Sequence, residues 1–427
     1  MRTHTEHARV THTLRRQKPK PQDSALKPLY TRSVVNSLGQ GTVNPFIGAY
    51  AVTLGASASD MGWFQSSTNI SNNLMQIFWG RLSDTLKRRI PFIVAGSLIL
   101  SILWIPMIFV ANAAQLIIIL AIQALLGSMA TPAWTALIGD LVPAHRLGRA
   151  NASVSLYASI GSLIATIASG TYMITTGGTL QHMLFLPFIF AALTGITSSL
   201  IMLRLKETKN GQKLNLKQNM TTEILRMLTH AHRTKPFMRY CTVAATFEFF
   251  MSIAWPLFSL TQILILGASM LQLAILSFVQ SFTTIICQNW AGRRADVAGR
   301  RPLLILFRFS LITVPLAYAF IPDISILIAI GAFWGIAQAL GQASATAYLL
   351  DVTPQEHRGS FTAVYNLIIG SVTFIGSLIG GYLSNYTITL FGLGVGLQIV
   401  YTLSAVGRTI GAVFHLRLKE TLKKEEA

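Results

Sequence analysis

Runs of apolar residues, separated by short polar connections, occupy most of the chain beyond its first 32 residues. A helix that crosses a bilayer needs about 20 mainly apolar residues, and twelve runs reach that length. They lie at 33–55, 61–80, 90–111, 114–138, 150–175, 184–204, 237–262, 269–290, 302–321, 325–349, 359–384 and 391–416. The pattern predicts an all-α integral membrane protein with 12 transmembrane helices.

One polar connection, 205–236, is much longer than the others. We expect it to be a cytoplasmic linker between an N-terminal six-helix bundle at 33–204 and a C-terminal six-helix bundle at 237–416. The first 32 residues are polar and basic, without the apolar run of a signal peptide, and are expected to form a cytoplasmic tail at 1–32. A second, short tail is expected at 417–427.

Composition excludes a soluble fold. Only 11% of residues are charged, 52% are hydrophobic, and the mean hydropathy is +0.52, whereas soluble domains carry roughly a quarter charged residues. The net charge of +19 does not indicate nucleic-acid binding, because the basic residues lie between apolar runs instead of on one face of a soluble domain. Cys241 and Cys287 both fall inside apolar runs, so neither a disulfide framework nor a metal site is expected.

The basic residues predict the orientation of the chain in the membrane. All but two of the 34 Lys and Arg residues lie in the tails or in alternate connections, and the remaining connections have none. Cytoplasmic loops of membrane proteins carry this excess of Lys and Arg. Both termini are therefore expected in the cytoplasm, with the protein in the cell membrane.

The two halves repeat each other. The tetrapeptide Leu-Gly-Ala-Ser at 54–57 recurs at 266–269, which is 212 positions later. The same offset relates Gln76 to Gln288, Gly80 to Gly292, Asp84 to Asp296, and the pair Arg88 and Arg89 to Arg300 and Arg301. Chance similarity between apolar helices would not preserve one register across both loops and helices, so the sequence indicates a duplication of six helices.

The two repeated loops resemble the signatures of the major facilitator superfamily. The segment from Gly80 to Arg89 is similar to the family's loop between helices two and three, and the segment from Gly292 to Arg301 is similar to its counterpart between helices eight and nine. The resemblance implies two six-helix bundles related by a pseudo-two-fold axis, with substrate bound between them near the membrane midplane.

The resemblance also implies a gating role for these loops. Gly80 and Gly292 would let helix ends approach closely, and Asp84 would accept hydrogen bonds at the start of helix eleven, latching one conformation. Alternatively, the charges only set topology. The residues assigned to this gating motif are Gly80, Asp84, Arg88, Arg89, Gly292, Asp296, Arg300 and Arg301.

Polar residues inside the predicted helices recur at helical spacing. A polar stripe within a membrane must face other helices or water, so we expect these stripes to line a transport cavity, although hydrogen bonding between helices would also explain single members. Gln123 stands where drug antiporters of the family carry an arginine. The predicted lining comprises Asn36, Gln40, Asn44, Gln65, Asn69, Gln76, Gln123, Glu248, Gln280, Gln288, Trp334 and Gln338.

Glu248 is the one carboxylate deep inside a predicted helix. One hypothesis is that it couples transport to protons or binds a cationic group; the alternative is a neutral, hydrogen-bonded structural residue. Arg308 and Arg408 also lie within apolar runs. The family resemblance implies peripheral positions for the helices that carry them. We therefore expect these arginines to snorkel to the interface or to form a structural pair, in preference to contacting substrate.

These features predict a secondary active transporter that moves a small organic solute by alternating access, with proton coupling as a hypothesis and export slightly favoured over uptake. The alternative is a non-transporting sensor or scaffold with the same fold. Enzymatic activity is not expected, since the apolar runs hold no cluster of catalytic side chains. The expected partners are the lipid bilayer and a small-molecule substrate, without cofactor, metal or nucleic acid, and the expected state is a monomer.

Overall fold

A computed structural model provides the structure of the protein. It describes residues 23–70, 73, 75–86, 88–142, 147–205, 229–354 and 358–421, with some side chains near the gaps excepted. Most of the predicted 1–32 tail, most of the 205–236 linker and the last six residues lie outside the described residues.

The first half contains six helical segments. They are α1 (Asp23–Thr53), α2 (Ala58–Ile70 and Gln76–Leu86), α3 (Ile90–Ile102, then a 3-10 turn at Pro106–Phe109), α4 (Ala113–Gly127 and Ala130–Leu141), α5 (Leu147–Thr176) and α6 (Leu180–Leu203). The first segment starts at Asp23, ten residues before the predicted run, because polar residues extend the helix beyond its apolar part.

The second half contains the matching six. They are α7 (Lys235–Ala254, continued by short helical turns to Ile265), α8 (Met270–Ala298), α9 (Arg300–Ser310 and Thr313–Phe320), α10 (Ile324–Asp351), α11 (Arg358–Phe391) and α12 (Leu393–His415). The turn between α11 and α12 is reduced to Gly392, whose φ of +79° favours glycine.

Ten of these segments are long and apolar enough to span a membrane on their own. Of the other two, α1 carries a stripe of Asn and Gln, and α2 is divided by residues that lie outside the described part of the chain. No strand occurs in the described part of the chain. The prediction of an all-α protein with twelve membrane helices is therefore confirmed.

The two halves pack their helices in the same pattern. In the first half α1 packs on α5 and α6, α3 on α6, and α2 on α4; in the second, α7 packs on α11 and α12, α9 on α12, and α8 on α10. The halves meet along α2 with α11 and along α5 with α8. This arrangement is the pseudo-symmetric pair of bundles that the repeat predicted.

The two ends of the bundle differ in their connections. At one end, here called the non-basic end, side chains cap the starting helices: Ser57 and Asp60 at α2, Asn112 at α4, Thr179 at α6, Ser269 at α8 and Asp323 at α10. A cap accepts hydrogen bonds from amides that have no partner in the helix. The opposite end, where the connections with Lys and Arg lie, is here called the basic end.

Candidate functional site: a cavity between the two halves

A cavity of about 510 Å³ lies between the two halves of the molecule. We call it the central cavity; α1 and α2 form one wall, and α7–α10 with α12 form the other. Its volume is in the range of small-molecule sites. The polar and aromatic residues of its lining are Asn44, Phe64, Gln65, Trp255, Phe258, Ser259, Gln262, Ser277, Gln280, Tyr318, Trp334, Gln338 and Arg408.

Five of the predicted cavity residues lie in this lining, and they come from both halves: Asn44, Gln65, Gln280, Trp334 and Gln338. Each belongs to a polar stripe of its helix, and the packing of that helix turns the stripe away from lipid. The structure thus brings together residues nearly 300 positions apart in the sequence.

Aromatic rings form one side of the central cavity. The rings of Phe258 and Tyr318 stack with centroids 4.3 Å apart, and Tyr318 stacks on Trp334 at 6.0 Å. Gln262 donates a 2.7 Å hydrogen bond to the Tyr318 hydroxyl, and the Trp334 indole donates to Thr313. These contacts fix the rings as a flat apolar surface. Gln262 and Tyr318 are not part of the predicted stripes, since they lie near helix ends where periodicity gives no signal.

Arg408 is the charged member of this lining. It lies on α12 and is only 2% exposed, so it does not snorkel to an interface. Its guanidinium donates hydrogen bonds to the Leu311 carbonyl at 2.7 Å, the Met251 carbonyl at 3.3 Å and the Ser404 hydroxyl at 3.2 Å. All three acceptors are neutral. The sequence signal for this residue was its position inside an apolar run, but that signal did not place it at the cavity.

Glu248 lies outside the lining of the central cavity, in an ion pair between α7 and α9. Its Oε1 atom is 2.7 Å from Nη1 of Arg308, and both side chains are largely buried. The Arg308 guanidinium also lies over the ring of Phe247, at 4.5 Å from its centroid. Glu248, the one carboxylate deep inside its predicted helix, is therefore paired with Arg308, 60 residues later in the sequence.

Asn36 and Gln40 belong to a second cavity of about 380 Å³, which we call the basic-side cavity. It lies within the first half, among α1, α3, α4 and α5, toward the basic end. Arg32 lines it as well, donating to Ser97 at 3.1 Å and lying 4.1 Å from the ring centroid of Trp134. Asn44 in the central cavity donates a 3.1 Å hydrogen bond to Gln40, so the stripe on α1 connects the two cavities.

The other predicted cavity residues make contacts between helices. Asn69 accepts from Gln65 and donates to Ser377 of α11, Gln123 donates to the Leu100 carbonyl, and Gln288 donates to Gln342 at the long distance of 3.5 Å. Hydrogen bonding between helices, the alternative explanation of the stripes, accounts for these side chains. The side chain of Gln76 lies outside the described residues.

The halves are held together toward the non-basic end. Three hydrogen bonds cross between them in the described part of the chain: Trp63 to Tyr382 at 3.0 Å, Ser66 to the Phe374 carbonyl at 2.9 Å, and Asn69 to Ser377 at 3.4 Å. A Cβ placed on Gly62 would lie 3.0 Å from the Cα of Gly381, so only glycine permits this approach. These contacts join α2 to α11 in the part of the two helices nearer the non-basic end.

Comparison with known families decides what this architecture is. A profile described as Major Facilitator Superfamily matches the chain twice, over residues 30–254 and 240–426. The chain belongs to the major facilitator superfamily. The two matches correspond to the two halves of the repeat, and the resemblance to this superfamily is thereby confirmed.

Known members of the superfamily resemble the chain along almost its whole length. An uncharacterized MFS-type transporter of Methanocaldococcus jannaschii is 20% identical over 404 residues, covering 92% of this chain and 97% of that protein. The crystal structure of a bacterial homolog of the human lysosomal transporter Spinster, inward-facing and unoccupied, has a TM-score of 0.69 at 17% identity and covers 93% of this chain and 97% of its own. A D-xylose-proton symporter has a TM-score of 0.68 at 15% identity, covering 94% and 98%.

The first superfamily loop motif is described in part. A Cβ on Gly80 would lie 3.3 Å from Pro132 of α4, which is the close approach expected of a glycine there. Ser83 donates to the Arg88 carbonyl and accepts from Arg89. The side chain of Asp84, the predicted latch, lies outside the described residues.

The second motif is anchored at its arginines. Arg300 forms an ion pair with Asp351 at the end of α10, and Arg301 donates to the Leu416 carbonyl at 2.7 Å. Asp296 is exposed, and a Cβ on Gly292 would meet no atom within 4 Å. Close packing therefore does not explain the glycine at 292 in this conformation.

Glu420 completes this second motif from the carboxyl tail. Its two carboxylate oxygens each accept a 3.1 Å hydrogen bond, one from the amide of Arg300 and the other from that of Arg301. The start of a helix carries free amides and a partial positive charge, which a carboxylate stabilises. Sequence reasoning missed this contact because the tail carries no periodic pattern.

Proposed function

We propose that the protein is a secondary active transporter that carries a small organic solute by alternating access, and that the structure represents its inward-facing state. The observation that carries the proposal is the central cavity, whose wall is shared by both halves. Rocking the two halves about a fixed site would expose that site to one side at a time. A single chain encloses the cavity, so a monomer suffices.

Both termini are proposed to be cytoplasmic, in the cell membrane, with the basic end facing inward. The near-complete restriction of Lys and Arg to one set of connections supports this orientation. A cysteine introduced after Thr421 should react with an impermeant maleimide only in permeabilised cells, in a variant from which Cys241 and Cys287 have been removed. Reaction in intact cells would reverse the orientation.

A counterflow screen in proteoliposomes tests transport itself. Vesicles preloaded with unlabelled solute should accumulate the same solute in labelled form. Gln338→Trp should abolish this flux by filling the cavity, since Gln338 lies in the lining. Ile336→Trp is the matched control, because Ile336 lies on the same helix outside that lining with an exposed side chain. Absence of flux for every solute would favour the sensor or scaffold.

Proton coupling through Glu248 stays a prediction, and the ion pair with Arg308 supplies a structural alternative. The two roles are separated by an assay with a solute that shows counterflow. Its uptake is measured under an imposed pH gradient, in the wild type and in Glu248→Gln. A coupling carboxylate requires that the gradient drives wild-type accumulation and that the variant loses this response while keeping exchange. A structural pair predicts equal loss of folded protein and flux. The expected direction is export. It is tested by comparing solute accumulation in vesicles that contain the protein in opposite orientations.

A further inference from the structure

Arg408 stands in the wall of the central cavity and has no carboxylate partner among the described residues. In the described part of the chain, the residues that line this cavity include no Asp or Glu. The carboxylate of Glu248 instead accepts its hydrogen bond from Arg308. The three charged groups of this region, Glu248, Arg308 and Arg408, therefore sum to one excess positive charge, and it lies on the cavity side.

The guanidinium of Arg408 retains capacity for a ligand. An arginine side chain has five N–H donors, and three hydrogen bonds occupy one donor each on Nε, Nη1 and Nη2. One N–H on each terminal nitrogen is left. Two such donors on adjacent nitrogens match the two oxygens of a carboxylate or phosphate group.

The remaining lining supplies neutral polar groups and a ring surface. Gln65, Gln280 and Gln338 offer amides that donate or accept, and the stacked rings of Tyr318 and Trp334 offer a flat apolar face. An uncompensated charge within a membrane is expensive, so an anion that binds beside Arg408 removes a penalty carried by the empty protein. A cationic solute would increase that penalty.

The basic-side cavity has the same character. Arg32 is 7% exposed, its hydrogen bond goes to a neutral hydroxyl, and its Nε atom is buried with no acceptor among the described residues. Arg32 and Arg408 thus line the two cavities that the Gln40–Asn44 hydrogen bond joins. Each cavity therefore carries a buried arginine whose side-chain hydrogen bonds go to neutral acceptors.

We propose that the central cavity binds an organic anion, with its carboxylate or phosphate group on Arg408 and its apolar or aromatic part against Tyr318 and Trp334. The proposal rests on the proposed transport function and specifies its substrate class. It differs from the sequence hypothesis in which Glu248 binds a cationic group, because Glu248 lies behind the cavity wall in an ion pair.

A matched series of ligands tests the charge preference. Phenylacetate, phenylacetamide and phenethylamine share a ring and differ in charge, and phenyl phosphate separates the two anionic groups. Purified full-length protein in detergent, with chloride held constant, should bind at least one of the two anions roughly tenfold or more tightly than the amide and the amine, as expected for charge-assisted hydrogen bonds. Tighter binding of the amide or amine, or no binding of either anion, overturns the proposal.

Three variants connect the preference to Arg408. Arg408→Gln should lower the affinity for the anion at least about tenfold and leave the affinity for the amide unchanged. Gln338→Glu should do the same without touching the contacts of Arg408, because it places a carboxylate on the exposed cavity side of α10. Arg417→Gln, an exposed position beyond α12, is the control and should bind like wild type.

The outcomes separate this proposal from that of transport. Anion binding that depends on Arg408 with no counterflow of any solute would sustain the binding site and overturn the transport function. Counterflow of neutral or cationic solutes that is unaffected by either anion and by Gln338→Glu would sustain transport and overturn the anion site.

Discussion

Both halves of the molecule use an arginine to connect their first and third helices, but they do so with different chemistry. In the first half, Arg32 on α1 donates to the Ser97 hydroxyl on α3 and lies over Trp134. In the second half, Arg308 on α9 pairs with the Glu248 carboxylate on α7 and lies over Phe247. In both halves an arginine links the first helix to the third. The arginine stands on the first helix in one half and on the third helix in the other. Its acceptor is a neutral hydroxyl in the first half and a carboxylate in the second.

The 212-residue register explains why the halves differ. Glu248 corresponds to Asn36, and Arg308 corresponds to Gly96. A Cβ on Gly96 would lie 2.9 Å from the amide nitrogen of Ala130, so the packing of α4 leaves no room for an arginine there. The first half therefore carries its cation on α1, one turn before Asn36, where it lines a cavity. The comparison teaches that Glu248 and Arg308 compensate each other's charge, whereas Arg32 has no acidic partner among the residues that the structure describes.

Breaking the pair of the second half should have the largest effect on stability. Arg308→Met leaves a carboxylate unpaired in the membrane interior, and the loss of one partner from a buried ion pair costs about 3–5 kcal/mol. The double variant Glu248→Leu with Arg308→Met should recover most of that loss, because two apolar side chains need no counter-charge. Unfolding of the purified protein in detergent measures both.

A double variant as unstable as the sum of its single variants would contradict this account of the second half. It would mean that Arg308 stabilises the fold through Phe247 and its other neighbours instead of through charge compensation.

The corresponding change in the first half should be milder. Arg32→Met removes one hydrogen bond and one cation–π contact, each contributing about 1 kcal/mol, and leaves no carboxylate behind. We expect a loss of about 1–2 kcal/mol in the same unfolding experiment. A loss equal to that of Arg308→Met would show that Arg32 has an acidic partner and would remove the difference between the halves.

The loop motifs extend the comparison to the basic end. In the second half Glu420 accepts from the amides of Arg300 and Arg301, so Glu420→Gln should weaken the start of α9 by about 0.3–1 kcal/mol, the usual contribution of a charge at a helix end. Hydrogen exchange of those two amides should become up to roughly fivefold faster. Lys419→Gln, which alters the neighbouring exposed side chain, should leave exchange unchanged. Equal acceleration by both variants would mean that the tail itself detaches.

The sequence was sufficient to predict the fold. Apolar runs, the restriction of basic residues to alternate connections and the 212-residue repeat each report on the helix count and the pairing of halves, and lipid imposes these patterns on every helix separately. The α11–α12 boundary was less well predicted, because 385–390 contains no helix breaker and the helix continues to Phe391.

The site was predictable only within single helices. Stripes identified Asn44, Gln65, Gln280, Trp334 and Gln338 because helical periodicity places them on one face. Partners that come from different helices had no such signal. The pairing of Glu248 with Arg308, the seating of Arg408 beside the cavity and the division of the α1 stripe between two cavities depend on how helices pack, which one sequence does not specify.

The smallest expected effect concerns a pair of matched caps at the non-basic end. Asn112 caps α4 and Asp323 caps α10, 211 positions later, and only the second can titrate. The hydrogen bond from the Ser325 amide holds the pKa of Asp323 below its usual value. Because the folded pKa is the lower one, this cap stabilises the helix start above the ordinary carboxyl pKa and is lost as the pH falls through the depressed pKa. Hydrogen exchange of the Ser325 amide, corrected for the intrinsic rate, should therefore slow with rising pH in the wild type. In Asp323→Asn this pH dependence should disappear. The Ser325 amide should then behave like the Gln115 amide, which donates to Asn112. A pH dependence that persists in Asp323→Asn would assign it to another group and leave the two caps equivalent.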